Sequence, residues 1–528
     1  MALTKVTGGL LGNLPTGTGN VAVGDTALDS IESGAENNVA IGSAAGTAIT
    51  TGIRNTLIGG IAGDALTDAI LNVAVGYQSL SADTLGSRSV AIGPFALQAQ
   101  NFTTATSSYN VAVGADAGLL VTTGTANTLI GGLAGDAITT ASYNTAVGTS
   151  ALSATTTGSN NVAIGEVCLF ENTTAGDNTA VGVSAMRYNT TGYSNTALGR
   201  AALQKNTTAS NNTAVGYYAL LSNSTGTQNT AVGSLSLDAN TTGDYNSAFG
   251  YLALTGNTTG VRNTGLARST LESNTTGSYN VAVGMDALAS NTTADNNTAV
   301  GNEALLANTT GTQNVGIGGR AGDAITTGSQ NTLVGYNAGG AFNADYNAFF
   351  GRSSGSAVTT GSKNTIIGSY NGNQGGLDIR TSSNNIVLSD GDGNYRYVFN
   401  NSSGKHHLFD VSSGAGTNAL KYNTSTGQVT FDTSSIRYKE NVRDSSYGLS
   451  EVLQMRSTIF EYKDTGRTDV GLIAEELNPI IPELVLKNSE NEPDSVSYDR
   501  LVSVLVKAIQ ELSAENAALT ARIEALES

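Results

Sequence analysis

Asparagine recurs every 17 residues through the middle of the chain, at Asn110, Asn127, Asn144, Asn161, Asn178, Asn195, Asn212, Asn229, Asn246, Asn263, Asn280, Asn297, Asn314 and Asn331. A short period sustained this long specifies a structure built by stacking one small unit, each unit covering the face its neighbour leaves open. Length then comes from repetition rather than from a large core.

The unit reads Asn, Thr or Val, Ala, Val or Ile, Gly, two variable residues, Ala-Leu, a spacer and a turn. Asn144-Thr145-Ala146-Val147-Gly148 with Ala151-Leu152 and Thr157-Gly158 is one copy, and Asn212 to Gly216 with Ala219-Leu220 and Thr225-Gly226 is another. Thr/Val and Val/Ile alternate at period two, which is strand spacing, and the Gly and Asn-Thr-Thr-Gly clusters supply breaks. Seventeen residues are too few for a helix-turn-helix repeat but suit one coil of a parallel β-solenoid with two short strands, Asn stacked on Asn. Small Ala and Gly on the second strand leave room for another layer or chain.

The beat reaches Asn20 at one end and Asn364 at the other, with slips at Asn38, near Ser89 and at Asn347. Roughly twenty coils at ~4.8 Å each predict a rod on the order of 100 Å. Composition agrees: 65 Gly, no Trp and 13% charged residues suit a repetitive β protein better than an ordinary enzyme. A formal net charge of −17 argues against nucleic acid as a partner, because phosphates require a basic stripe. The one cysteine, Cys168, excludes an intrachain disulfide and is expected to be a buried structural thiol. Residues 1–19 contain no apolar run of signal-peptide length, and no stretch approaches a membrane span, so neither secretory export nor membrane insertion is expected. Those residues, or the first coils, are the expected attachment point to a larger assembly.

After Gly376 the beat is lost. Asn385-Ile386-Val387-Leu388 and Tyr395-Arg396-Tyr397-Val398-Phe399 predict hairpin strands joined at Asp390-Gly391-Asp392-Gly393-Asn394. That loop spaces oxygen ligands as a calcium loop does. Tyr395 and Asn401, however, stand where the turn glycine and the bidentate glutamate belong, so a β-turn is the preferred reading. His406 and His407 are adjacent and point to opposite faces of a strand, so no metal site and no cofactor are expected.

The final segment is richer in charge and helix formers. Val502, Ile509, Asn516 and Ile523 alternate with Leu505, Leu512, Leu519 and Leu526 in a heptad seam, predicting a coiled coil over 499–528. β-branched residues at the first seam position, with Leu at the second, favour two strands by themselves.

Three ordered motifs then carry a family resemblance. They are Thr433-Ser434-Ser435-Ile436-Arg437-Tyr438-Lys439-Glu440-Asn441-Val442, Val470-Gly471-Leu472-Ile473-Ala474-Glu475-Glu476-Leu477 with Ile481-Pro482-Glu483-Leu484-Val485, and Tyr498 with Leu501 ahead of the heptads. Residues 434–528 resemble the intramolecular chaperone of endosialidase family, the S74 peptidases, which sit at the C-termini of phage tail fibres and tailspikes, help three chains assemble, and cut themselves away. The repeats separately resemble the β-roll head of trimeric adhesins.

The resemblance implies a serine–lysine autoprotease that turns over once in cis and acts on no external substrate. Ser434 would attack the Thr433 carbonyl with Lys439 as general base, a role that needs a neutral amine held by burial or by a nearby cation such as Arg437. Ser435 stands where the family usually has Asp, a departure that bears on cleavage efficiency rather than on folding.

The expected molecule is therefore mainly β. Residues 1–19 attach it, 20–376 form a trimeric parallel β-solenoid or β-roll shaft of 17-residue coils, 377–433 form a β-rich distal tip, and 434–528 form a small α+β chaperone ending in a coiled coil. A chaperone of this kind answers a physical need, because non-local strand pairing is slow and register errors are nearly degenerate among identical coils. The expected trimer overrides the two-strand preference of the seam.

The functional expectation is a homotrimeric phage tail fibre on the virion, joined to a tail or baseplate protein and binding a host surface polysaccharide or protein receptor. A bacterial trimeric adhesin is the alternative, and would need a secretion signal and an anchor. A glycan hydrolase would need paired carboxylates in a groove, and the repeats single out no such pair. Tyr217, Tyr218, Tyr251 and Arg268 are candidate receptor contacts on the shaft, with 377–433 the preferred tip site.

Overall fold

A computed structural model describes residues 18–400, 405–408, 420–423, 428–431, 439–463, 466–488 and 490–528, in two compact units that divide between Val411 and Ser412. The first unit is a β-solenoid of about 22 coils. In each coil the residues after the ladder Asn form a short strand, and successive strands pair in parallel without slippage. Thr145, Ala146 and Val147 lie opposite Val162, Ala163 and Ile164. The middle alanine faces inward and is fully buried, while Thr and Val/Ile face outward. Parallel pairing continues past residue 376, where Ile386–Leu388 lie against Thr365–Ile367.

The stacked asparagines satisfy the backbone at the coil junctions, apart from the ladder position that Ser89 occupies. Asn127 Oδ1 accepts the backbone N–H of Asn144 at 3.0 Å, and Asn144 Nδ2 donates to Asn127 Oδ1 at 3.2 Å and to the Gly158 carbonyl at 3.0 Å. A buried amide would otherwise cost its full desolvation energy, so the column is a structural requirement rather than decoration.

The expected second strand forms only where Gly86–Ser87 pairs in parallel with Thr106–Ser107. Elsewhere one short strand per coil is followed by a segment containing left-handed residues: Ser150, Leu152 and Asn160 have φ of 54°, 55° and 62°. The alternation turns successive N–H groups in opposite directions along the axis. Ser150 N–H donates back to the Gly132 carbonyl at 2.9 Å, and Leu152 N–H donates forward to the Cys168 carbonyl at 3.0 Å. Each coil thereby bonds both neighbours without extended geometry.

Side-chain volume separates two kinds of coil. From Asn161 to Asn297 a Leu or Met (Leu169, Met186, Leu203) fills the core, and a second buried Asn column runs from Asn172 to Asn308. Its amides stack too: Asn189 Nδ2 donates to Asn172 Oδ1 and to the Gly192 carbonyl, both at 2.9 Å. In several coils toward both ends Gly replaces that Leu and an apolar residue replaces that Asn, as in Gly135 with Ile138 and Gly339 with Phe342. A Cβ on Gly135 would meet Ile138 Cδ1 and Leu129 Cδ2, each at 2.8 Å. A large residue in mid-strand thus requires glycine opposite it.

The coil that slips near Ser89 is repaired by a buried polar cluster. Asp83 and Gln100 occupy the second-column position there. Gln100 Nε2 donates to Asp83 Oδ2 at 2.6 Å and to Ser89 Oγ at 2.8 Å, and Asn110 Nδ2 donates to Gln100 Oε1 at 2.8 Å. The solenoid closes on the expected hairpin, with Ile386 opposite Phe399 and Leu388 opposite Tyr397, followed by Lys405–Leu408.

Candidate functional site

The second unit is small and mixed. Helix α1 (Leu449–Val452) leads to strands Thr458–Glu461 and Thr468–Gly471, then come α2 (Ala474–Leu477), strands Val485–Lys487 and Pro493–Val496, and the long α3 (Tyr498–Glu527). Its core joins Ala474, Leu477, Ile481, Leu484 and Val485 to Val504 of α3. The apolar residues of the central motif are therefore packing residues.

Specific polar contacts lock the sequence motifs together. Leu472 N–H donates to Tyr498 Oη at 2.8 Å, and a Cβ on Gly471 would sit 2.3 Å from that hydroxyl, so this glycine is needed for close approach. Arg456 donates from Nε and Nη2, one edge of its guanidinium, to both carboxylate oxygens of Glu476, whose carboxyl the guanidinium holds below the usual range. The Tyr447 hydroxyl donates to Glu483 Oε2 at 2.7 Å and lowers the carboxyl's pKa, while the carboxylate raises the phenol's. Glu511 of α3 caps α1 by accepting Leu449 N–H at 2.7 Å, and a Cβ on Gly448 would lie 2.1 Å from the same carboxylate. Sequence reading missed Glu511, which sits among other charged helix residues.

Lys439 lines a groove with Ser445, Tyr447, Glu483, Asp499 and Arg500. The groove brings together the first motif, the Ile481–Val485 motif and the start of α3. Thr433, Ser434 and Arg437 lie outside the described residues. The groove lining is of mixed charge, with Lys439 and Arg500 beside Asp499 and Glu483, the last engaged by Tyr447.

In the first unit, the Asp390–Asn394 loop forms a turn. Asp390 Oδ1 accepts Asn394 N–H at 2.9 Å, and its Oδ2 accepts Arg396 Nη2 at 2.8 Å. These contacts hold the Asp390 carboxyl down at about 2 and occupy the oxygens that a calcium ion would need. Side chains of His406 and His407 lie outside the described set. Cys168 is fully buried, its Sγ donates to the Ala180 carbonyl at 3.2 Å, and burial pushes the thiol up to about 12. Tyr217 and Tyr218 stack at 3.9 Å with Arg200 over both rings, while Tyr251 and Arg268 are exposed. Among the described residues no helix is long and apolar enough to cross a membrane.

Comparison with family models matches residues 434–486 to the chaperone of endosialidase, Peptidase S74. Comparisons with curated proteins and with solved structures gave no match. The match begins at Ser434 and ends within the strand Val485–Lys487, so it covers the groove-lining Lys439, Tyr447 and Glu483 and stops short of α3. This chain thus joins a β-solenoid of 17-residue coils to a C-terminal chaperone of endosialidase domain.

Proposed function

We propose that the chain is a homotrimeric phage tail fibre that binds a receptor on the host surface and matures through its C-terminal domain. The observation that carries this reading is the chaperone of endosialidase match directly following a long solenoid of nearly identical coils. Identical coils make register ambiguous, and a domain that trimerises first resolves it. Ser434 Oγ then attacks the Thr433 carbonyl as Lys439 takes its proton, the Thr433–Ser434 amide opens to an ester through Oγ as the freed Ser434 amine is protonated, and water hydrolyses that ester, leaving a carboxylate on Thr433 and releasing residues 434–528. The finished fibre joins the tail or baseplate through its N-terminal segment and belongs to the virion.

Intact mass of the expressed chain beside a Ser434→Ala variant tests the maturation step. A fragment beginning at Ser434 in the parent, absent from the variant, is the expected result. An uncut parent that still trimerises only with residues 434–528 present would retain the chaperone and remove the protease. An uncut parent that trimerises equally without them would overturn the reading of this domain.

A further inference from the structure

Five of the six coils between Gly199 and Met285 place a long side chain in a single column, the position following the residue that ends the strand (a glycine, or Ala267): Arg200, Tyr217, Tyr251, Arg268 and Met285, with Ser234 the exception. In many other coils that column holds a small residue, such as Gly60, Ala115, Gly132 or Thr149. Arg200 sits 5.9 Å from the Tyr217 ring centroid, and Tyr217 and Tyr251 remain 43% and 50% exposed. Arg268 Nη1 approaches Met285 Sδ at 3.8 Å and makes no ion pair among the described residues, leaving a cationic end to the column. Charge changes sign here as well. Residues 200–285 carry four basic and three acidic residues, whereas residues 20–376 carry ten and twenty.

We propose that this column binds an acidic polysaccharide lying along the solenoid axis. Arg200 and Arg268 pair with its carboxylates through planar two-pronged hydrogen bonding, and Tyr251 and the stacked pair Tyr217–Tyr218 supply aromatic surface with polar rims to the sugar rings. Four coil steps of ~4.8 Å separate the two arginines by ~19 Å, a span for an extended oligosaccharide rather than for one sugar. The assignment rests on the receptor-binding reading above and gives it a ligand class and a location on the solenoid side.

The test uses the full chain, with R200A/R268A and Y217A/Y251A variants whose melting is compared with the parent to verify folding. Binding is measured to polygalacturonate, alginate and neutral dextran at low and high salt. The expected result is binding to an acidic polymer that falls at least tenfold in each variant and drops steeply with salt. Undiminished binding by R200A/R268A, equal binding to dextran, or no binding to either acidic polymer would overturn the site. Labelled chain is also applied to a panel of bacterial cells. Cell binding that survives both variants overturns the site and leaves the receptor reading standing. Binding to acidic polymer without binding to any cell does the reverse.

Discussion

Ala267 stands in the column that ends each strand, where neighbouring coils place Gly250 and Gly284. The backbone there has φ of 132°, which alanine rarely adopts, while Gly148 and Gly165 at 135° and 136° accept it freely. Glycine is needed on spatial grounds too, since a Cβ on Gly148 would lie 2.6 Å from the Gly165 carbonyl oxygen. Strain of this type costs ~1–3 kcal/mol, and glycine's extra unfolded-state entropy returns ~0.5–1 of it. Ala267→Gly should therefore stabilise the solenoid by about 1 kcal/mol in chemical denaturation. A midpoint that stays put or falls would show that the coil has relaxed around the alanine. The converse change, Gly165→Ala, should lower the midpoint by a larger amount, because a carbonyl oxygen cannot move aside as a side chain can.

Each coil behaves as an element whose core volume is shared among a few positions. Gly135→Ala should cost ~1–3 kcal/mol by overpacking against Leu129 and Ile138, and adding Leu129→Ala should relieve part of that loss despite being destabilising alone. Additive effects in this double-mutant cycle would refute the volume exchange. The slipped coil gives a pH prediction. Burial raises the Asp83 pKa, against hydrogen bonds from Phe102 N–H, Gln100 and Gly86 N–H that lower it. Ionised Asp83 therefore destabilises the folded state above the unfolded carboxylate range, and this cost disappears as pH falls through the raised folded pKa. Relative to Asp83→Asn, the parent should gain melting temperature between pH 7 and pH 4.5, and parallel profiles would sink the idea. The period, the strand and the first Asn column were legible because each is fixed by one residue type at one spacing. The second Asn column was hidden inside Asn-Thr-Thr-Gly, which also reads as a turn. The left-handed Ala-Leu segment was misread as a strand because hydrogen bonds to two other coils decide its conformation, not local propensity. The cap that Glu511 places on α1 spans 62 residues and leaves no local trace.

At the scale of the molecule, both units leave apolar surface that a single chain does not cover. Ile164, Leu198, Phe249 and Leu266 end outward strand faces at 39–48% exposure, and the same position recurs in every coil of the solenoid. About 22 coils at ~4.8 Å make a stripe ~100 Å long, more than isolated soluble proteins ordinarily expose. On α3 the heptad residues Val502, Ile509, Leu519 and Leu526 are 55–85% exposed, and only Val504 and Ala508 of the helix are buried. Three copies joined along both surfaces would bury them, but the two surfaces should matter at different times. The seam is short, local and quick to pair, whereas the stripe gains its energy only when all coils are in register. Ile509→Asp with Leu519→Asp should therefore block assembly from the start and yield monomer or aggregate by native mass measurement. Phe249→Asp should still give trimer, with a lower melting temperature and slower assembly. If the α3 double variant assembled into trimer at the parent's rate, the seam would not be what sets register, and the order of assembly argued here would have to be reversed.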